Sequence, residues 1–210
     1  MALIPLMIDL DEKKVVIAGG GSIAERRAKT LLKSGASITV ISPEIKKGIR
    51  ALWEEDLLIW KEKNVQTSDL ADAFLIIVAT SDPIVNQEVI QKAPSSALIN
   101  AAAEADKGNV AFPSTFRRGK LNISISTNGA SPQLAVKIRR QLESLYDEKY
   151  EDYVDFLYEC RKLVKLTSLD KLHQRLLLKE LLSEGFLDKH QQLMAITWLK
   201  KLARGGEGND

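Results

Sequence analysis

A chain of 210 residues with 45% hydrophobic and 28% charged side chains has the composition of a globular protein. Its formal net charge of +2 and 6% aromatic content lack the concentrated basic stripe of a nucleic-acid binder, and no apolar run reaches the roughly 18 residues needed to cross a bilayer. Cys160 is the only cysteine, which excludes an internal disulfide and a cysteine-based zinc site and agrees with a reducing cytoplasm.

Residues 1–10 are apolar, but Pro5 and Asp9 interrupt them and no basic start or cleavage site is present, so they read as a first edge strand and not as a secretion signal. The most informative stretch follows. Val15-Val16-Ile17-Ala18 is a short β-branched run that stops at Gly19-Gly20-Gly21, after which Ile23, Ala28, Leu31 and Leu32 recur at helical spacing over residues 22–34. Gly35 is a natural stop for that helix. This is the strand–turn–helix opening of a dinucleotide-binding unit, with Gly19, Gly21 and Ala24 in the three small-residue positions. Gly19 permits the tight turn, Gly21 lets a pyrophosphate approach bare backbone, and Ala24 lets helix and strand pack closely. The free N–H groups of the helix start, at Ser22 and Ile23, then face the phosphates.

Residues 37–41 read as a buried strand that breaks at Ser42-Pro43, closing a crossover of the length expected for a βαβ unit. An acidic residue at this strand end would bind the ribose hydroxyls; Glu44 lies slightly late, behind Pro43, and Lys46 and Lys47 read as a solvated helix start. These residues leave NAD and NADP both open. Residues 57–60 give a short strand, 73–79 a fully buried one, 84–92 a helix after Asp82-Pro83, and 96–100 another strand. Near-continuous apolar strands alternating with helices predict a parallel sheet covered on both faces. Thr80, Ser81, Asp82 and Asn100 would rim the same cleft as the glycines, with capping of a helix as the other role for Asp82.

The pattern changes after residue 108. Residues 109–116 and 121–127 read as a hairpin, the second strand alternating Leu121, Ile123 and Ile125 with Asn122, Ser124 and Ser126. A loop then ends in Ser131-Pro132, an N-cap serine and a first-turn proline, ahead of a helix expected to bury Leu134, Ala135, Ile138, Leu142 and Leu145. Residues 150–202 are helical and charged, and 205–210 look frayed. His173 and His190 lie in this tail without metal-site spacing, so no metal is expected. A hairpin with one helix has too little core to stand alone. A second copy of the chain would complete it, and a homodimer is expected; folding of the helical tail onto the hairpin is the other solution.

The glycine stretch, Val78-Ala79-Thr80-Ser81-Asp82 with Val85-Asn86, Leu98-Ile99-Asn100, Phe112-Pro113-Ser114 and above all Ile123 to Pro132 (ISISTNGASP) together resemble the precorrin-2 dehydrogenase family, which includes the N-terminal module of siroheme synthase. The resemblance runs through essentially the whole chain. It implies an α/β protein with a Rossmann-like parallel sheet over residues 1–112, a small α+β dimerisation and substrate region over 113–147, and a helical C-terminal domain over 148–210. It implies a cytoplasmic, homodimeric enzyme that oxidises precorrin-2 to sirohydrochlorin with NAD⁺. The expected dinucleotide contacts are Gly19, Gly21, Ser22, Ile23, Ala24, Pro43, Glu44, Thr80 and Asp82. Because precorrin-2 is a polycarboxylate, the expected substrate contacts are Asn100, Arg117, Arg118, Thr127, Gly129, Ser131 and Lys137.

One position departs from the family. Many relatives carry an aspartate three residues after the strand-end asparagine as a candidate acid/base, and some stand-alone ones lack it; here that register gives Ala103, with Glu104 and Asp106 as the nearby substitutes. The catalytic group is therefore unassigned. Ala103 counts against a bifunctional dehydrogenase–ferrochelatase, and would also suit a non-catalytic dinucleotide-sensing dimer, the alternatives to the plain dehydrogenase.

Overall fold

A computed structural model describes residues 3–205. The chain divides after Phe112 into two compact units. The first is built from β1 (Lys14–Ala18), α1 (Ser22–Leu32), β2 (Ser37–Ile41), α2 (Lys47–Glu54), β3 (Ile59–Lys61), α3 (Thr67–Leu70), β4 (Leu75–Val78), α4 (Pro83–Lys92) and β5 (Leu98–Ala101). All strand pairings in its sheet are parallel, in the order β3-β2-β1-β4-β5. The chain order reverses between β1 and β4, and in an open α/β sheet the crevice at that reversal is where ligands bind.

Alternation along β1 supplies both sides of the core. Val15 and Ile17 face a layer with Ala24, Ala28 and Leu31 of α1 and Ile49 of α2, whereas Val16 and Ala18 face one with Leu70 of α3 and Val89 of α4. Every residue from Val15 to Ala18 is fully buried, which is why the run reads as continuously apolar.

Residues 3–10 form no strand, contrary to the reading of 1–10 as an edge strand; Met1 and Ala2 lie outside the described residues. Leu3, Ile4, Leu6, Met7 and Ile8 are exposed, and an apolar segment without a neighbouring strand has no ladder to join. The Asp82 carboxylate accepts from the Ile84 and Val85 N–H groups at the start of α4, the capping role weighed for it. Asp69 is the most enclosed carboxylate of this unit, its side chain 4% exposed and paired with Lys61 at 3.1 Å and Lys63 at 2.8 Å. Burial pushes its pKa up, but hydrogen bonds from Lys63, the Gln66 N–H and Lys61 outweigh that and hold it below the ordinary range. Asp69→Asn is expected to cost about 1–3 kcal/mol at pH 7. Because the folded pKa is the lower one, this stabilisation is complete above the unfolded value near 3.9 and disappears as pH falls through the folded one. Urea unfolding of both proteins across that range should show the gap closing on the acid side.

The second unit contains β6 (Ser114–Arg118), β7 (Leu121–Ile125), α5 (Pro132–Leu145), α6 (Lys149–Lys165), α7 (Lys171–Glu180) and α8 (Lys189–Arg204). β6 and β7 pair antiparallel about Gly119-Lys120, where Gly119 takes a left-handed φ of +52°. The first hairpin strand thus begins at Ser114, not residue 109. Asn109 and Val110 instead lie along β5, both of their N–H groups donating to the Ile99 carbonyl. Of the α5 residues expected to be buried, only Ala135 is; Leu134 and Leu145 are 47% and 64% exposed, while Ile138 and Leu142 are half-buried. The helical tail does meet the hairpin, since Lys120 pairs with Asp155 of α6 and Gly119 lies against Glu151. The tail has its own core of Tyr153, Phe156, Cys160, Leu163, Val164, Leu181 and Leu199. Burial, then the charge of Glu159, pushes the Cys160 thiol up to about 11, so it stays protonated and inert. His173 and His190 are exposed. Residues 206–210, most of the segment read as frayed, lie outside the described residues.

Candidate active site: a dinucleotide cavity

The three consecutive glycines do three different jobs. Gly19 has φ +115°, and a Cβ there would stand 2.3 Å from the Ala79 carbonyl oxygen. A Cβ on Gly20 would stand 2.0 Å from the Glu44 carbonyl oxygen. Those two are bare because neighbouring backbone presses on them. Gly21 is different: its φ of −81° suits any residue, and nothing lies within 4 Å of a Cβ built on it. The protein itself does not need a glycine there, so the open space suits a group that comes to the backbone from outside.

That space belongs to a cavity of about 790 Å³ at the carboxyl ends of β1, β2 and β4. Gly21 is the N-cap of α1 and no side chain caps that end, leaving the first-turn N–H groups pointing into the cavity mouth. With the positive end of the helix dipole, they form an anion site. Lys46 strengthens it, its ammonium donating to Ser22 Oγ at 2.6 Å while its own N–H bonds the Gly20 carbonyl. The far wall is braced by Trp60, whose indole N–H donates to the Ser42 carbonyl at 3.0 Å. On the β4 side Thr80 Oγ1 and Asn86 Oδ1 lie 2.7 Å apart, and the Asn86 amide donates back to the Thr80 carbonyl.

The structure brings Gly19, Gly21, Ser22, Ile23, Pro43, Glu44, Thr80 and Asp82 together as lining of this one cavity. Ala24 does not line it; fully buried against β1, it closes helix onto strand, as the third small position requires. Lining residues that sequence reasoning passed over include Lys46, Asn64 and Val65. Lys46 looks locally like a solvated helix start, and nothing in its own surroundings signals the contact with Ser22. Asn64 and Val65 follow β3, and the rule that ligands meet strand carboxyl ends would have pointed to them.

Asn100 was expected on the same rim and is not there. Its register partner is Ile77, which places it below the level of Ala79 and Thr80, and its side-chain amide is drawn inward to the Val110 carbonyl at 3.0 Å. Its Oδ1 is buried without a partner. Ala103 is exposed in the bend after β5; Glu104 is tied to Lys107 at 2.7 Å, and Asp106 is exposed in a short 3₁₀ turn. Among the described residues no cluster of three or more His, Cys, Asp or Glu side chains could hold a metal ion.

In the second unit the predicted substrate residues form two groups at opposite ends of the hairpin. Arg117 and Arg118 sit at the turn, where Arg117 Nε donates to the Gly119 carbonyl at 2.6 Å and Arg118 Nε is buried and unpartnered. Thr127, Gly129 and Ser131 lie past the other end, beyond the Ser114–Ile125 pair. Thr127 Oγ1 accepts from the Ser131 N–H, and Ser131 Oγ caps α5 through the Leu134 N–H. Five residues of strand separate the groups, roughly 17 Å. Lys137 is exposed on α5 beside an apolar groove of about 560 Å³ that also takes in Pro132, Val136 and Arg140.

Comparison with known proteins agrees with this layout. A family described as "Putative NAD(P)-binding" matches residues 6–114, "Sirohaem biosynthesis protein central" matches 118–145, and "SirC C-terminal domain" matches 150–193. The chain is 40% identical to a precorrin-2 dehydrogenase of Priestia megaterium over 86% of this chain and 90% of that one. It is also 40% identical to a precorrin-2 dehydrogenase of Bacillus subtilis, over 76% of this chain and 99% of that one. A siroheme synthase of Actinobacillus pleuropneumoniae is 32% identical over 83% of this chain but only 36% of its own length. The solved structure titled "SirC, precorrin-2 dehydrogenase" superposes with a TM-score of 0.83 at 38% identity, covering 95% of this chain and all of that one. Its fold is the one described above: a parallel five-stranded sheet, a small antiparallel pair and a helical C-terminal region. Identity at this level through nearly the full length of both partners, with an open nucleotide cavity at the switch point, places the chain in the precorrin-2 dehydrogenase family.

Proposed function

We propose that this chain oxidises precorrin-2 to sirohydrochlorin with NAD⁺. The observation that carries the reading is the bare Gly21 at the mouth of the cavity, in a chain so similar to two precorrin-2 dehydrogenases. The residues suit the cofactor. The α1 N-terminus with Gly21, Ser22 and Lys46 would hold the pyrophosphate, Pro43 and Glu44 the adenine ribose, and Thr80 and Asp82 the nicotinamide side. Glu44 favours NAD over NADP, because a carboxylate repels a 2′-phosphate. Lys46, which lines the same cavity, is engaged with Ser22 Oγ at the helix start.

When bound, the nicotinamide supplies the hydride acceptor. The chain's own part is to fix geometry and handle charge. Oxidation takes a hydride and a proton from the macrocycle; a bound nicotinamide would accept the hydride, and the proton would leave to water or to a carboxylate of the 104–106 turn. With Ala103 unable to carry a proton, positioning supplies most of the rate. In the second unit Arg117, Arg118, Lys137 and the Thr127–Ser131 loop would offer donors to carboxylates of the substrate. Exposed Leu134, Val136 and Leu145 on α5 support a homodimer through the region 113–147. The single cysteine supports a cytoplasmic setting.

Anaerobic incubation of the purified chain with precorrin-2 and NAD⁺, following NADH and sirohydrochlorin together, tests the reading. Equal molar appearance of both products is expected, with NADP⁺ a poorer oxidant. NAD⁺ binding without either product would leave a dinucleotide-sensing relative.

A further inference from the structure

Arg27 lies in α1 with its guanidinium carbon 4.1 Å from the centre of the Phe112 ring. Its Nε is shut away from water and has no hydrogen-bond partner. Burial, and then the charge of Arg26, pulls its pKa down from the usual value to about 10, and no acid counters either effect. A guanidinium stays charged at neutral pH and offers a planar fork of N–H donors. Stacking on Phe112 occupies its face, and with Nε enclosed it is the terminal Nη edge of the fork that is left for an anion.

Its position says which anion. Ile23 lines the dinucleotide cavity, and Arg27 follows it by four residues, one turn along the same face of α1. Arg27 is outside the cavity lining, where the pyrophosphate is already served by the helix start and Lys46. A second unfilled group lies in the same layer. Asn100 projects from β5 on the side of Leu98, which packs against the same core layer as Phe112 does, and its Oδ1 is buried without a donor. Both orphans border one segment, Asn100 through the Val110 carbonyl and Arg27 through the Phe112 ring.

We infer that Arg27 is a carboxylate-binding site for the tetrapyrrole substrate, beside the dinucleotide cavity and separate from the pyrophosphate contacts. This rests on the substrate assignment above. A peripheral carboxylate of the macrocycle takes the edge of the guanidinium in a charge-assisted pair, supplying the anion the free protein lacks.

The test uses the full chain, wild type and Arg27→Met, which keeps the bulk beside Phe112 and removes the charge. Three quantities are read: Kd for NAD⁺, KM for precorrin-2, and Kd for sirohydrochlorin by fluorescence. The expected result is at least about a tenfold rise in the two tetrapyrrole constants, the scale of one lost charge-assisted contact, with the NAD⁺ constant within about twofold. Arg27→Gln, which keeps a planar group to stack, gives the same readout if the methionine variant fails to fold. Tetrapyrrole constants at the wild-type value in a folded variant overturn the site while leaving the dehydrogenase standing. A parallel rise in the NAD⁺ constant overturns it too, by placing Arg27 on the dinucleotide. A wild-type chain that neither turns over nor binds the tetrapyrrole overturns both readings.

Discussion

Gly21→Asp is expected to fold and melt like the wild-type protein and to lose NAD⁺ affinity by at least about a hundredfold, roughly 2.7 kcal/mol. The steric half of the argument is that a Cβ at Gly21 meets nothing within 4 Å and the backbone φ of −81° is ordinary. The electrostatic half is that a carboxylate at the N-cap of α1 satisfies the same N–H groups and the same dipole that a pyrophosphate would. The substitution therefore caps the helix as it blocks the site, and stability holds while binding fails. Calorimetric titration with NAD⁺ alongside a thermal melt separates the two. Undiminished affinity in the folded variant would remove the nucleotide from this turn.

Two residues earlier the outcome reverses. Gly19→Ala is expected to destabilise the first unit by roughly 3 kcal/mol or more, visible as a fall in Tm of roughly 10 °C or more. The methyl group would stand 2.3 Å from the Ala79 carbonyl oxygen at a φ of +115°, and neither partner is free to retreat. The Gly19 N–H is bonded to the Ile41 carbonyl, and the Ala79 N–H to the Ala18 carbonyl, both at 2.9 Å, so the turn is wedged between β2 and β4. Relief requires breaking a strand-end hydrogen bond, splaying β1 from β4, or both. Denaturant unfolding measures the loss. A Gly19→Ala protein as stable as wild type would mean that the strand ends relax far more easily than a parallel sheet buried on both faces allows.

The pair explains what the sequence disclosed and what it withheld. A strand that stops at glycines and restarts as a helix is a local pattern, readable because the βαβ unit is local. The caps at Asp82 and Ser131 were legible for the same reason, each acting within its own helix turn. Residues 3–10 are apolar and yet join no strand, because whether an apolar segment enters a sheet depends on a neighbour that sequence does not supply. Asn109 and Val110 are the opposite case, being held along β5 by contacts made ten and more residues away. Lys46 meets Ser22 across 24 residues, so its turn toward the anion site could not be inferred from its own surroundings. Nor could the unfilled Arg27 and Asn100, since an orphaned donor or acceptor is defined by everything that fails to reach it.

Trp60 gives the cavity a built-in optical signal. Its indole N–H holds the Ser42 carbonyl, and its ring meets that of Trp53 edge-on with centroids 5.4 Å apart. Tryptophan emission overlaps the absorption of a reduced nicotinamide, so quenching of the pair on addition of NADH is the expected signature of a cofactor seated in this cavity. The oxidised cofactor lacks that absorption and leaves the pair bright. Binding of the reduced cofactor is thus expected to be readable in stopped flow with no label added and no residue of the site replaced.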